Sequence, residues 1–464
     1  MEAYARSMTE EVREAVLQSS VLKARSRMAV LTRRFGDPDP LRRLAGEIRQ
    51  HVLDHLGDYL TQFEKMALGR GWQIRWACTA EEACALIIDI CRNHGVRLMV
   101  KGKSMASEEI GLNQALEAQG ITPVETDLGE YIVQLDGDRP SHIVTPVIHK
   151  NRRQIAGLFA RNGLGEYTED PEALTLQARR RLRSCFQEAQ AGFSGVNFAV
   201  AESGRMVVVE NEGNNRLSTT TPPVHIALMG IEKLVPTDRD LAPFLKLLAA
   251  SATGMDLSVY THFLHGPRRP GELDGPEHAY LILLDNGRSD LLGGELREIL
   301  RCIRCGACLN ICPVYRQTSG HGYGSVYPGP MGSVLSPMMG GEATLDRFRE
   351  LPKACSLCGA CAQVCPVCIP LADHLVRLRR TLTQKRLSMR GTPDFHLWGG
   401  LATRPGVWRA GLRAAGWMAA PLMPLAVRFG PAKGWLANHA PPEFARGQDS
   451  FRTWWKKRQG ENAE

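Results

Sequence analysis

The last 70 residues of this 464-residue chain hold six of its eight tryptophans but lack a membrane-spanning run. The longest uncharged stretch there, Ala414 to Val427, has 14 residues and contains Pro421 and Pro424, too short and too broken to cross a bilayer. The start of the chain lacks the apolar core of a secretory signal, because Glu10, Glu11 and Glu14 come first, so a cytoplasmic location is expected. Compositional bias is missing as well. Hydrophobic residues at 44% and charged residues at 23% exclude a disordered chain, and 45 Gly with 27 Pro is an average share that excludes collagen-like or low-complexity architecture. No G-x-G-x-x-G turn follows a strand and no G-x4-G-K-[ST] loop occurs, so the nicotinamide, flavin and P-loop fingerprints are absent. The net charge of +8 belongs to the tail: from Arg377 to Arg458 basic residues exceed acidic ones by 13, leaving −5 elsewhere. No folded basic reader module is visible, and no nucleic-acid partner is expected.

What the chain has in abundance is cysteine, concentrated in one place. Nine of its 13 cysteines fall between Cys302 and Cys368, a density that points to metal and not to a disulfide framework. Cys302, Cys305, Cys308 and Cys312, followed by Pro313, form C-x2-C-x2-C-x3-C-P, and Cys355, Cys358, Cys361 and Cys365, followed by Pro366, repeat it. In chains with two such runs the fourth cysteine of each ligates the other cluster. The spacing therefore predicts two [4Fe-4S] clusters, one on Cys302, Cys305, Cys308 and Cys365, the other on Cys355, Cys358, Cys361 and Cys312. A pair of zinc sites is the competing reading, since C-x2-C also suits tetrahedral zinc. Cys368 is a ninth cysteine where eight suffice, read as a spare thiol, with adventitious ligation or redox sensitivity as the alternative. Cys78, Cys84, Cys91 and Cys185 stand singly among apolar residues and read as buried core thiols.

Periodicity divides the rest. Helices are expected over Glu10 to Arg34 and, with apolar residues every three or four positions, over Leu41 to Met66. Strands are expected at 97–100, 121–125, 196–201, 206–210, 225–229 and 279–284, with helices at 80–93, 108–119 and 241–250, which together favour an α/β layer fold with a mostly parallel sheet. Ser203-Gly204 reads as a hairpin, making the sheet mixed. The cysteine-rich segment begins in a helical stretch, 294–304, and its Gly- and Pro-rich middle, 319–341, reads as an irregular loop. The expected domains are N-terminal helices (1–70), an α/β domain (71–290), a two-cluster domain (291–376) and a helical, basic, Trp-rich arm (377–464). The arm is expected to dock on this chain or a partner subunit, with contact to a membrane surface as the alternative.

Two polar turns lie beside strands. Lys101, Lys103 and Ser104 sit in a cationic turn leading to a helix start, a candidate anion site that an ordinary strand-to-helix turn explains equally well. Glu210 to His225, with Asn214 and Arg216, packs many hydrogen-bonding side chains between two strands, where α/β folds carry ligands. These segments, with Glu125 to Tyr131, Arg139 to Ile143, Gly195 to Phe198, Gly266-Pro267-Arg268-Arg269 and the double cysteine run, resemble the lactate utilization protein B family over nearly the whole chain. The resemblance implies a lactate-utilization (LUD) α/β domain with a fold similar to ribose-phosphate isomerases and coenzyme A transferases, plus an α-helical ferredoxin domain. It also implies a cysteine-rich CCG-domain subunit and a smaller LUD-domain subunit as partners, which together with this chain oxidise L-lactate to pyruvate. A basic residue is expected where Cys368 stands.

The leading functional reading is an electron-transfer subunit of an L-lactate dehydrogenase complex, not an enzyme alone. Lys101, Lys103, Arg216, Arg268 and Arg269 are candidates to hold a carboxylate or phosphate, with His225 as a candidate base. The alternatives are a LUD enzyme of the acyl or coenzyme A transfer type, with Glu210 as carboxylate nucleophile and structural or regulatory clusters, and a non-catalytic redox scaffold.

Overall fold

Acidic residues fill the first turn of the opening helix, Glu10–Phe35, and Thr9 caps it by accepting from the Val12 amide, an arrangement that suits the positive end of the helix dipole. The structure, a computed structural model, describes residues 8–385, 392–412, 414 and 451–461 in two units, 1–387 and 388–464. The helix expected over Leu41 to Met66 is instead two, Asp39–Asp54 and Leu56–Leu68, broken at His55, whose backbone leaves helical geometry.

Two sheets follow. The first has six strands: β1 (Gln73–Ala77), β2 (Leu98–Lys101), β3 (Thr122–Glu125), β4 (Ala191–Gly195), β7 (Val224–Gly230) and β10 (His278–Leu284). Their order is β1-β10-β7-β4-β2-β3, parallel throughout. All seven residues of β7 are buried, as expected of a strand covered on both faces. The second sheet, in the order β8-β5-β6-β9, contains β5 (Phe198–Val200), β6 (Arg205–Glu210), β8 (Leu234–Val235) and β9 (Tyr260–Leu264). The hairpin at Ser203-Gly204 joins β5 to β6 here, so the antiparallel pairing belongs to a separate sheet and not to the parallel one. Gly204 has φ +64°, and a Cβ on it would meet the Ala67 amide nitrogen at 2.6 Å; only glycine fits the turn.

Other expectations need correction. Residues 108–119 form two short helices, Met105–Glu109 and Leu112–Glu117, parted by Gly111 at φ +65°. The stretch 294–304 holds only a 3-10 turn, Arg297–Arg301. The middle of the cysteine-rich segment, read as irregular, contains a helix at Gly329–Met338 with nine buried residues; Pro330 is tolerated in its first turn, and tertiary packing outweighs its poor propensity. Cys84, Cys91 and Cys185 are buried, but Cys78 is exposed, lying where β1 gives way to the helix Ala80–Asn93.

The cysteine-rich segment shares a hydrophobic core with the second sheet and the N-terminal helices: Cys305, Cys361 and Cys365 belong to one cluster with Phe198, Phe244, Leu31 and Leu378. Three arginines of the N-terminal helices bind the backbone of the cysteine loops. Arg27 donates to the Val364 carbonyl at 2.7 Å, Arg42 to Cys365 at 3.0 Å, and Arg49 to Leu300 at 2.8 Å. The helix Leu371–Gln384 runs across position 376 and buries Leu375, Leu378 and Leu382. In the second unit the described residues include helices Thr392–Ala402 and Phe451–Glu461, with Trp398 against Trp408 and Phe451 stacked on Trp455. Trp417, Trp435 and most of the run Ala414 to Val427 lie outside the described residues. Among the described residues no helix is long and apolar enough to cross a membrane.

Candidate functional site

Each cysteine run folds as a loop that ends in a short helix. Gly306 and Gly359, both at φ +76°, turn the chain into helices Ala307–Ile311 and Ala360–Gln363, while Pro313 opens the next helix after Cys312. Cys302, Cys305, Cys308 and Cys365 line one chamber, closed by Ile143, Met331 and Val367. Cys361 has Cys355, Cys312 and Cys358 as its near neighbours, so the fourth cysteine of each run lies with the first three of the other. The helices Ala307–Ile311 and Ala360–Gln363 pack against each other, and the two groups therefore abut. Burial, then mutual repulsion, pushes the Cys361 thiol up to about 12; burial does the same to Cys305 and takes Cys365 to about 11. Thiols crowded this way are relieved by a multivalent cation centre. Backbone amides already point at sulfur: Arg304 donates to Cys302 Sγ at 3.4 Å, Leu357 to Cys355 Sγ at 3.3 Å and Ile369 to Cys365 Sγ at 3.4 Å. These are the interactions that tune a cluster. Cys368 neighbours Cys365 without lining the chamber.

The segment Arg139 to Ile143 straps the α/β domain under these loops. Tyr315 donates to the Ser141 carbonyl at 2.9 Å and His321 to the Arg139 carbonyl at 2.6 Å. His142 Nδ1 accepts from the amides of Val144 and Thr145, so its Nε2 donates to Asn310 Oδ1 at 3.1 Å. Burial lowers this imidazole to about 3, keeping it neutral.

A cavity of about 390 Å³ opens at the C-terminal ends of the parallel strands. Strand order reverses between β2 and β4: from β2 the chain moves to the β3 edge, and from β4 it advances to β7 and β10. Ligands bind outside the strand ends at such a switch point. Lys103 and Ser104 after β2, Gly195 ending β4 and Gly230 ending β7 line it, as do Glu210 and Asn214. The other candidate residues do not. Lys101 is 1% exposed and held by Glu125 at 2.5 Å and Asn113 at 2.6 Å. Arg216 lies over the Tyr260 ring. Arg268 pairs with Glu277, and the Arg269 amide donates to Glu272, in a separate loop. His225 is buried in β7, bonded to Ser194 Oγ at 2.9 Å and held by burial down to about 3. Glu210 accepts from the amides of Asn215 and Arg216 and from His262 at 2.7 Å, so both its oxygens are engaged.

Sequence reasoning missed the far wall, made of Glu232, Lys233, Arg288, Arg304 and Tyr327. Glu232 and Lys233 lie in the turn Ile231–Lys233 just past the end of β7, and that position was the available signal. Arg288 donates to Glu232 at 2.7 Å and to both oxygens of Glu109 at 2.9 Å. Arg304, between Cys302 and Cys305, adopts φ +60° and stacks on Tyr327. Burial brings the Lys233 ammonium down to about 8, against the opposing pull of Glu232.

Known proteins match both halves. The LUD domain family matches residues 60–284 and the 4Fe-4S dicluster domain family residues 298–369. An electron transport protein of Escherichia coli described as uncharacterized, YkgF, is 42% identical over 97% of this chain and 96% of its own length. Lactate utilization protein B of Shouchella clausii is 42% identical over 99% of this chain and 98% of its own, and that of Bacillus subtilis 46% identical over 78% and 75%.

Proposed function

Because the chain belongs to the lactate utilization protein B family, we propose that this iron-sulfur protein is the electron-transfer subunit of a complex that oxidises L-lactate to pyruvate. The observation that carries the reading is the exchange of fourth cysteines between the two runs. It supports one [4Fe-4S] cluster on Cys302, Cys305, Cys308 and Cys365 and a second on Cys355, Cys358, Cys361 and Cys312. When bound, each cluster would take up and release one electron at a time. The chain's own residues supply the rest. Arg27, Arg49 and Arg304 place positive charge by Cys305 and Cys302, which offsets the negative charge of an added electron. Cys358 and Leu357 are exposed, which supports the second cluster as the one that meets a partner.

In this reading residues 71–290 form the LUD domain, 291–376 the two-cluster domain, 1–70 the helical brace between them and 377–464 an arm for subunit contact. The partners are a CCG-domain cysteine-rich subunit and a smaller LUD subunit, assembled in the cytoplasm. The engaged oxygens of Glu210 weigh against the acyl-transfer alternative, which needs a free carboxylate.

The test is reconstitution with the two partner subunits and assay of L-lactate-dependent dye reduction. Cys302→Ser and Cys355→Ser are each expected to abolish dye reduction while the subunits still co-purify. Full activity in either variant would overturn the reading.

A further inference from the structure

We propose that the cavity at the β2/β4 switch point binds a small carboxylate on the Lys233 ammonium, and that its occupancy is linked to the redox state of the cluster Cys302 serves. The proposal rests on the cluster assignment above and adds to it a ligand site on this chain.

A volume of about 390 Å³ lies within the range of small-molecule pockets. Its cationic groups are committed to carboxylates with one exception, while Glu210 and Glu212 accept from backbone amides. Lys103 bonds Asp127 and the Val144 carbonyl, Arg288 bonds Glu109 and Glu232, and Arg304 lies beside Glu232 and Tyr327. Lys233 makes no hydrogen bond or ion pair among the described residues. Lys233 is half-buried and feels the adjacent Glu232 without a hydrogen bond to it, so an anion entering the cavity gives the ammonium a direct, charge-assisted partner. The apolar part of the lining, Val196, Val209, Leu228 and Leu248, suits a carboxylate attached to a short carbon chain better than a free inorganic anion.

The cavity shares a wall with the cysteine chamber. Ile143 lines both, and Arg304 faces the cavity while its amide donates to Cys302 Sγ. An electron added to the cluster adds negative charge on the far side of this wall and weakens carboxylate binding. By reciprocity a bound carboxylate makes the cluster harder to reduce. A tenfold preference for the oxidised form corresponds to about 59 mV for one electron. The site therefore loads when the cluster is oxidised and unloads when it is reduced.

The experiment uses anaerobic, cluster-loaded protein whose iron content and paramagnetic signal establish that both clusters are present. L-lactate, pyruvate and inorganic phosphate are titrated calorimetrically into the oxidised and dithionite-reduced forms, and the cluster potential is measured with and without pyruvate. Expected are binding of at least one of the two carboxylates, tenfold or more weaker in the reduced form, loss of that binding in Lys233→Met, its retention in Lys233→Arg, and a potential lowered by the bound carboxylate. Binding of phosphate alone, equal affinity in both redox states, or unchanged affinity in Lys233→Met would overturn the proposal. Should Lys233→Met fail to fold, the redox comparison in the unaltered chain and the Lys233→Arg variant decide. Absence of carboxylate binding with both clusters present overturns the ligand site and leaves the electron-transfer reading intact.

Discussion

The Arg304 guanidinium lies 3.6 Å from the Glu232 carboxylate, joining a cysteine loop to the end of the central strand of the α/β domain. Glu232 is 1% exposed and also takes a bond from Arg288. Removing one partner of a buried ion pair costs about 3 kcal/mol, because the remaining charge is left uncompensated. Arg304→Met is therefore expected to lose roughly that much in chemical denaturation. Loss of under about 0.5 kcal/mol would mean that Arg288 alone satisfies Glu232.

The same network sets an acid limit. Burial alone would raise Glu232, but Arg288 more than offsets it and brings the carboxyl down to about 2; Glu109 is lowered by Arg288 in the same way. A carboxylate depressed in the folded state contributes stability that is fully present above its unfolded value, about 4.3, and is lost as pH falls toward the folded value. Stability is expected to fall between about pH 4.5 and 2. Arg288→Met should flatten that part of the profile and destabilise the protein at neutral pH; an unaltered acid limb in the variant would contradict this origin.

Much of this was legible in sequence, for identifiable reasons. The cysteine runs reveal themselves because metal ligation fixes spacing, and β7 and β10 because strands buried on both faces are continuously apolar. Strand β4, Ala191–Gly195, was missed because all its residues but Phe193 are small: a Cβ on Gly192 would meet the Ser218 carbonyl at 1.6 Å, so a packed helix dictates its composition. The helix Gly329–Met338 was missed because burial sustains it against propensity. Half of the candidate cavity was read from turns after β2 and β6. The other half, Glu232 to Arg304, joins residues far apart in the chain through long-range ion pairs that leave no periodic trace.

The two cysteine loops differ in how closely they are held. Gly306 and Gly359 share φ +76°, but a Cβ at Gly306 would meet Ile143 and Val144 at 3.3 Å, whereas Gly359 has nothing within 4 Å. Gly359→Ala should cost about 1 kcal/mol from backbone strain alone. Gly306→Ala should cost roughly twice that, since overpacking is added. Thermal unfolding of the loaded protein checks the order, and equal losses would contradict it.

Thiol accessibility gives a further expectation. In cluster-free protein, iodoacetamide should modify the exposed Cys78 and Cys358 first and the buried Cys84, Cys91, Cys185, Cys305 and Cys361 last. Peptide mapping over time reads the order. Early labelling of Cys305 would show that the chamber opens when its metal is removed.

In the proposed function, electrons from lactate pass through the two cysteine groups of this chain. Electron paramagnetic resonance of the reconstituted three-subunit complex, recorded anaerobically before and after addition of L-lactate, tests it most directly. A reduced [4Fe-4S] signal that requires L-lactate and disappears in Cys302→Ser or Cys355→Ser is the expected result. Clusters that dithionite reduces and L-lactate never does would contradict the claim.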